Sequence, residues 1–460
     1  MARIALVQCP LWDVTVPPSG IASLSSYLKM KGHQVTMFDF NVELYQENKD
    51  YFEPFLSGVS NQPGLLQMWE ETEAFRENPV VTERTLKCWT ERILAFEPDL
   101  VGFSAYNTTI HTCLHIARQL KEEHKDITIV FGGASCFQEH YTRAILSTGA
   151  VDAIVRGEGE IAFDRIAQAQ EPSFCPGTIL FMDGRHVDCG DAELVQNLDA
   201  IPFPDFESLP LQSYFHEGKF LSISFSRGCI AKCTFCVETN YWKIFRQRSA
   251  KNLFAEFVRN HDRFGTQSYR FSDSLINANV KEMEKLCDLI IGRKLPLHWT
   301  SFARIDTRLT VGLLRKLKLA GCERLDFGIE SAAPAVLKAI NKGYTPDSIR
   351  STLRNAREAG LDSYTLWMVG FPTESRMDFL RTLVFIARNR KLIRIPPPGP
   401  SVCTVSQGSL LHQRSEHFGV DAPDTSGWST LDGKNTPAER LRRLRLFRGF
   451  TRLVGVWSPS

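Results

Sequence analysis

Three cysteines carry the strongest chemical signal in this chain. Cys229, Cys233 and Cys236 lie in Ser226-Arg227-Gly228-Cys229-Ile230-Ala231-Lys232-Cys233-Thr234-Phe235-Cys236, directly after the apolar run 221–225. That run reads as a strand, which puts the three thiols in one loop at its carboxyl end, where cofactor sites gather in α/β barrels. Three thiolates from one loop can hold three corners of an iron–sulfur cube, leaving the fourth iron an open coordination position. Structural zinc instead closes four ligands, usually from two separated pairs. No second pair exists here, because His216 and His261 have no Cys or His neighbour at ligand spacing. The remaining nine of the twelve cysteines stand isolated and read as small buried hydrophobes.

Polar residues stand at the ends of the strands that follow. Asp273 and Ser274 close the run Tyr269-Arg270-Phe271-Ser272-Asp273-Ser274, where side chains can reach a ligand across a barrel mouth. The alternative for Asp273 is a cap on the next helix. Arg304 and Glu330 sit just beyond the third and fourth strands. A guanidinium forks onto a carboxylate, and a glutamate accepts from hydroxyls or an ammonium. An Arg304 to Glu330 ion pair across the mouth is the other use of the same charges. Gly370, after the fifth strand, lets backbone approach a ligand closely.

The elements that must position these residues are short strands alternating with charged amphipathic helices. Strands over 221–225, 269–271, 297–303, 324–329 and 363–369 suit a partial α/β barrel spanning 213–395. Before it, strands over 4–8, 35–40, 100–104, 127–131 and 153–156 alternate with helices over 21–30 and 111–123, which predicts an open, parallel, Rossmann-like sheet over 1–171. Residues 45–90 interrupt that sheet with a polar, aromatic-bearing insertion, helical in pieces. Ser104, Asn107, Gly132, Gly133, Gly157 and Glu158 fall at strand ends, where such sheets bind ligands. Prolines at 172, 176, 202 and 204 mark 172–212 as a linker. A carboxy-terminal helical extension covers 396–460. Its basic run, Arg440, Arg442, Arg443, Arg445 and Arg448, interleaves with Leu441, Leu444, Leu446 and Phe447, and reads as a solvated helix face with an apolar stripe.

Composition narrows the partners. With 460 residues, 43% hydrophobic and 23% charged, the chain is globular, and a formal charge of +2 provides no global field for nucleic acid. No apolar run is long enough to cross a bilayer, and the amino terminus reads as a strand rather than a secretory signal, so a cytoplasmic protein with reduced thiols is expected.

Cys-x₃-Cys-x₂-Cys with an aromatic before the last Cys resembles the signature of radical S-adenosylmethionine (SAM) enzymes. The resemblance implies a [4Fe-4S] cluster on Cys229, Cys233 and Cys236, with SAM on the open iron and Phe235 near its adenine. It also implies SAM contacts from Asp273, Ser274, Arg304, Glu330 and Gly370. Ser274 stands where the family's Phe-x-Asp-Asp segment has its second acid. The amino-terminal motifs, in their order, resemble the cobalamin-binding domain found before such barrels, which implies cobalamin near Ser104, Asn107, Gly132, Gly133, Gly157 and Glu158. The Asp-x-His-x-x-Gly loop of other cobalamin proteins is absent, and no histidine is nominated as a lower ligand.

The implied fold is a Rossmann-like cobalamin-binding domain, then a partial (β/α)6 radical SAM barrel. The implied activity is methylation of an unactivated carbon of a small natural-product or lipid-like molecule. One SAM would serve hydrogen abstraction and another the methyl supply, with electrons from a donor such as flavodoxin or ferredoxin. Radical cyclisation, rearrangement or epimerisation would use the same residues. A methylthiotransferase needs a further cluster on amino-terminal cysteines, for which Cys9, Cys88 and Cys113 lack the context. A corrin- or metal-binding sensor without turnover is the non-enzymatic alternative.

Overall fold

Short β-branched runs divided by amphipathic helices build two separate parallel sheets. The computed structural model describes residues 1–56, 69–71, 75, 77–169, 174–182, 185–214, 220–397, 399–421 and 427–457. It divides into two units, Met1–Ser222 and Ile223–Ser460.

The first unit runs β1 (Arg3–Gln8), α1 (Ser19–Met30), β2 (Gln34–Asp39), α2 (Phe40–Glu47), α3 (Lys49–Leu56), α4 (Glu83–Leu94), β3 (Leu100–Ser104), α5 (Ile110–Glu123), β4 (Thr128–Gly132), α6 (Glu139–Leu146), β5 (Ala153–Val155), α7 (Gly159–Ala169), β6 (Thr178–Met182) and β7 (Arg185–Asp188). Its sheet has the order β2-β1-β3-β4-β5-β6-β7, parallel through β5. Ile4, Val101 and Ile129 are fully buried, as expected where helices cover both faces of a parallel sheet. Strand order reverses between β1 and β3, which opens a crevice at their carboxyl ends.

Two readings of this unit change. The stretch 172–212 is not a linker: β6 and β7 pair antiparallel and prolong the sheet. Beyond them Asp205 accepts from Ser25 Oγ at 2.9 Å and Lys29 Nζ at 2.6 Å on α1. Prolines exclude only the ladder positions they occupy, and Ile179 and Leu180 between them are buried. The insertion contributes an aromatic core, in which Phe40 and Trp89 stack at 4.8 Å and Phe52, Trp69 and Phe75 are buried. Residues 57–68, 72–74 and 76 of it lie outside the described residues.

The second unit's elements are β8 (Leu221–Ile223), β9 (Ser226–Arg227), α8 (Glu238–Trp242), β10 (Arg246–Gln247), α9 (Ala250–Phe264), β11 (Ser268–Phe271), α10 (Val280–Arg293), β12 (His298–Ala303), α11 (Val311–Leu319), β13 (Cys322–Glu330), α12 (Pro334–Ile340), α13 (Pro346–Glu358), β14 (Asp362–Val369), α14 (Arg376–Arg388), β15 (Ser401–Val402), α15 (Leu410–Gln413) and α16 (Pro437–Leu453). Strands in the order β8-β11-β12-β13-β14-β15 form a half-barrel, the six-stranded form expected. Residues 396–460 are integral to it rather than an appendage, because β15 pairs with β14 and α16 packs on α14.

The terminal helix buries two of its arginines beside Phe447 and leaves three of its leucines outside. Arg440 and Arg443 are 1% and 3% exposed, whereas Leu441, Leu446 and Leu453 are 47%, 48% and 84% exposed. The arginines face inward because buried acceptors await them there. Arg440 lies 3.7 Å from the centre of the Trp428 ring and donates to Trp428 O at 2.7 Å. Arg443 Nη1 donates to Glu374 Oε2 and to Glu374 O, both at 2.9 Å.

Candidate functional site

The cysteine loop leaves the first barrel strand through a fixed turn. Gly228 has φ +83°, and a Cβ there would meet Ile244 O at 2.7 Å, so only glycine lets the chain pass under the β9–β10 pair. Beyond the turn, Thr234 N donates to Ile340 O at 3.0 Å, Leu411 N to Thr234 O at 2.7 Å, and Asn341 Nδ2 to Lys232 O at 2.9 Å. Helices α12 and α15 therefore hold the loop from both sides.

The three thiols are close enough to act on one another electrostatically. Burial is the main cause that raises the Cys229 and Cys236 thiols, Cys236 to about 11, and the neighbouring thiols add to it. Ala231 N donates to Cys229 Sγ at 3.4 Å, Glu238 N donates to Cys236 Sγ, and Arg304 Nη1 points at Cys233 Sγ from 3.9 Å. Close thiols furnished with N–H donors and a guanidinium fit a thiolate-bound cluster, whose binding expels the protons that burial retains. Among the described residues no three Cys, His, Asp or Glu converge on a single metal ion.

At the ends of β12 and β13 the expected cations and acids meet, but not in the expected pairs. Asn277 grips the Arg304 backbone from both sides at 2.9 Å, and the guanidinium lies 5.3 Å from the Tyr344 ring centre. Glu330 pairs with Lys342, Nζ to Oε1 3.2 Å, so the alternative use of these charges, an Arg304 to Glu330 bridge, is not seen among the described residues. A bulge between Gly328 and Glu330 and a φ of +65° at Glu330 turn its side chain out of the ladder. Lys342 Nζ and Tyr344 Oη both donate to Gly328 O, at 2.9 and 2.8 Å. Burial alone would lower the Lys342 ammonium, but Glu330 and Tyr344 hold it above the usual lysine range. The same ammonium lies 5.7 Å from the centre of the Phe235 ring. Lys342 and Tyr344 carry no motif of their own, and spacing could not have nominated them.

Other nominated residues are engaged within the protein. Asp273 is buried with both oxygens engaged, accepting from Phe225 N at 2.8 Å and from the Ser226 hydroxyl. Burial lifts its carboxyl to about 6 against the pull of those donors. It caps no helix; it ties the β11 exit to the root of the cysteine loop. Gly370 is likewise committed, its N–H to Glu374 Oε2 at 2.8 Å and its C=O to Asn435 Nδ2 at 3.1 Å, with no room for a Cβ against Arg440. Ser274 Oγ donates to Glu238 Oε2 at 2.6 Å, a carboxylate that sequence reasoning missed.

In the first unit, Ser104 and Gly132 stand at the crevice, and a Cβ on Gly132 would meet only Val155 O at 3.7 Å. Trp12 and Tyr106, from the loops after β1 and β3, stack at 3.9 Å across the switch point. The Ser104 hydroxyl bonds to Tyr106 and Gly132 O accepts from Ala105 N at 2.6 Å, and the other nominees are likewise engaged within the protein. Asn107 donates to Glu70, Gly133 abuts the Ala105 backbone, Gly157 abuts Ala192, and Glu158 accepts from Val195 N at 2.9 Å. Ser104 and Gly132 thus fit an approaching polar-edged cofactor, and Gly133, Gly157 and Glu158 shape the crevice wall.

Residues 223–386 match the family model of the radical SAM superfamily, and residues 85–167 that of the B12 binding domain. The chain thus carries a B12-binding domain followed by a radical SAM domain. Radical SAM membership implies a [4Fe-4S] cluster and SAM, and the B12-binding domain implies cobalamin. An uncharacterized methyltransferase of Pyrococcus horikoshii is 29% identical over 300 residues, 64% of this chain and 65% of that protein. An anaerobic magnesium-protoporphyrin IX monomethyl ester cyclase of Synechocystis sp. is 27% identical over 303 residues, 64% and 60% of the two chains. The matched region is thus less than two-thirds of either relative's length. The radical SAM methyltransferase TsrM of Kitasatospora setae, solved with cobalamin and a [4Fe-4S] cluster bound, superposes with a TM-score of 0.69 at 17% identity, covering 96% of this chain and 85% of that one. The likeness extends the fold assignment over both units.

Proposed function

We propose that this protein is a cobalamin-dependent radical SAM methyltransferase acting on an unactivated carbon of a small natural-product or lipid-like molecule. The observation that carries the reading is the thiol triplet at the mouth of a half-barrel, with Arg304 aimed at one sulfur and the Glu330–Lys342 pair beside Phe235. When bound, cluster and SAM supply a 5′-deoxyadenosyl radical, and cobalamin carries the methyl group.

The chain's own residues hold and orient. Cys229, Cys233 and Cys236 would bind the cluster, and Arg304 offers a charge-assisted donor to a sulfur or a carboxylate. Glu330, turned outward by its bulge and fixed by Lys342, offers an acceptor for hydroxyls. Ser104 and Gly132 would meet the corrin in the first unit. A cytoplasmic flavodoxin or ferredoxin is the proposed electron donor. Among the described residues no helix is long and apolar enough to cross a membrane.

The test is anaerobic reconstitution with iron, sulfide and cobalamin, followed by reduction in the presence of SAM. Four iron, one corrin and formation of 5′-deoxyadenosine together with S-adenosylhomocysteine support methylation. Deoxyadenosine alone favours cyclisation or rearrangement, the chemistry named for the Synechocystis relative. Neither product from a fully loaded sample overturns the reading.

A further inference from the structure

We propose that the exposed face of α14 and α16 is a docking surface for an anionic lipid bilayer, on which the protein sits as a peripheral binder. The inference goes beyond the proposed reaction and rests on none of its cofactors.

The two helices pack against each other. On α14, Phe379, Thr382, Leu383 and Ile386 are buried and hold the helix to the core. Met377, Leu380 and Val384 run along the opposite, exposed arc at i, i+3 and i+7, the spacing of a single helix face. Arg376, Arg381 and Arg388 are exposed beside them. α16 repeats the pattern, for its exposed arc carries Leu441, Leu446 and Leu453 together with Arg442, Arg445 and Arg452. Among the described residues no exposed position of either helix is acidic. Asp378 is buried and paired with Arg381, and Glu439 is shared by Arg442 and Arg443. The face is therefore apolar and cationic at once, on a chain whose formal charge is only +2.

Each possible occupant would use a different part of this chemistry. A second copy related by a two-fold axis would cover the leucines but set arginine against arginine. A nucleic acid would answer the arginines and leave the aliphatic side chains idle. A protein partner anchors its contacts in recesses, whereas these side chains stand out from convex helix surfaces, Leu453 at 84% exposure. An anionic bilayer answers both features. The aliphatic side chains sink into the headgroup boundary, the arginine stems lie along them, and the guanidinium groups reach lipid phosphates. Each arginine also adds an increment of attraction to the charged surface, which salt screens.

The experiment sediments the cluster-loaded full chain with vesicles, either of phosphatidylcholine alone or of phosphatidylcholine and phosphatidylglycerol in equal parts. The wild type is expected to bind the mixed vesicles at about 0.1 M salt, to bind them less at about 1 M, and to bind phosphatidylcholine alone at least about tenfold more weakly. R388E combined with R445E is expected to weaken binding to the mixed vesicles at least about tenfold, since two attractive charges become repulsive. L380S combined with L446S is expected to weaken it about tenfold while the preference for phosphatidylglycerol stays. Both pairs lie at exposed positions and should keep the wild-type urea midpoint and iron content. A wild type that stays in solution beside the mixed vesicles overturns the proposal, and so does binding that neither pair of substitutions weakens. Equal binding to both kinds of vesicle overturns the anionic assignment. If the wild type ignores vesicles but dimerises in size-exclusion chromatography, and L380S with L446S abolishes the dimer, the face belongs to a second copy and the proposal falls.

Discussion

At the scale of single residues, the site is governed by which charges are already neutralised. Among the described residues Lys342 is the counter-ion of Glu330, with side chains only 7% and 16% exposed. Removing one partner of such a pair leaves an uncompensated charge, which costs more than the pair contributes. Lys342→Met is expected to lower stability by about 2–3 kcal/mol, the low end for a buried pair because Glu330 keeps some solvent. Lys342→Met combined with Glu330→Gln should recover much of it, read from urea midpoints in a double-mutant cycle. A second effect follows from Asp39 in the first unit and Asp273 in the second, both lifted to about 6 chiefly by burial. Their folded values lie above the unfolded one, so the folded chain binds more protons across that interval. Their contribution to stability is complete below about pH 4 and is lost as pH rises through 6. Asp39→Asn, which keeps an N-cap acceptor for Val42 N, is expected to flatten the fall in urea midpoint between pH 4 and 7. An unchanged slope would refute it.

At the scale of elements, turns and bulges do the aiming. The β13 bulge turns Glu330 toward Lys342, and Gly228 sends the cysteine loop beneath Ile244. Gly228→Ala places a Cβ against a backbone carbonyl at positive φ, so a cost of about 1–3 kcal/mol and reduced iron retention after desalting are expected. The loop after β14 is closed on itself by Glu374 on Gly370 and held from outside by Arg443 on Glu374. Arg443 and Glu374 are 4% and 2% exposed, and Arg443→Ala should cost about 3–5 kcal/mol in urea unfolding, more than any substitution at Leu441. Local order was legible in the sequence: strand runs, the cysteine spacing, and Arg304 and Glu330 at strand ends all stand where the chain placed them. What was not legible depends on long separations. Arg304 reaches Cys233 across 71 residues and Arg443 reaches Glu374 across 69, and neither periodicity nor spacing encodes such meetings. The hairpin in 172–212 was missed because prolines were weighed above the buried Ile179 and Leu180 between them.

At the scale of the molecule, the two units differ in how far their boundaries could be read. The second unit needs its last residues, because Val405, Leu411, Val420 and Trp428 share one apolar cluster with Cys233 and Phe371. Truncation after residue 395 is therefore expected to yield protein that aggregates or holds no four-iron cluster, checked by solubility and by iron and sulfide analysis. A soluble truncated chain that retains the cluster would show that this core is dispensable. The mixed burial of the terminal helix bears on how mutational tolerance should be scored here. A rule that weights aliphatic positions as fixed and arginines as variable would misrank Arg440, Arg443 and the exposed leucines of α16. Leu441, Leu446 and Leu453 are the sites open to polar replacement for better handling of the protein, whereas Arg440 and Arg443 are the ones a substitution library should find intolerant.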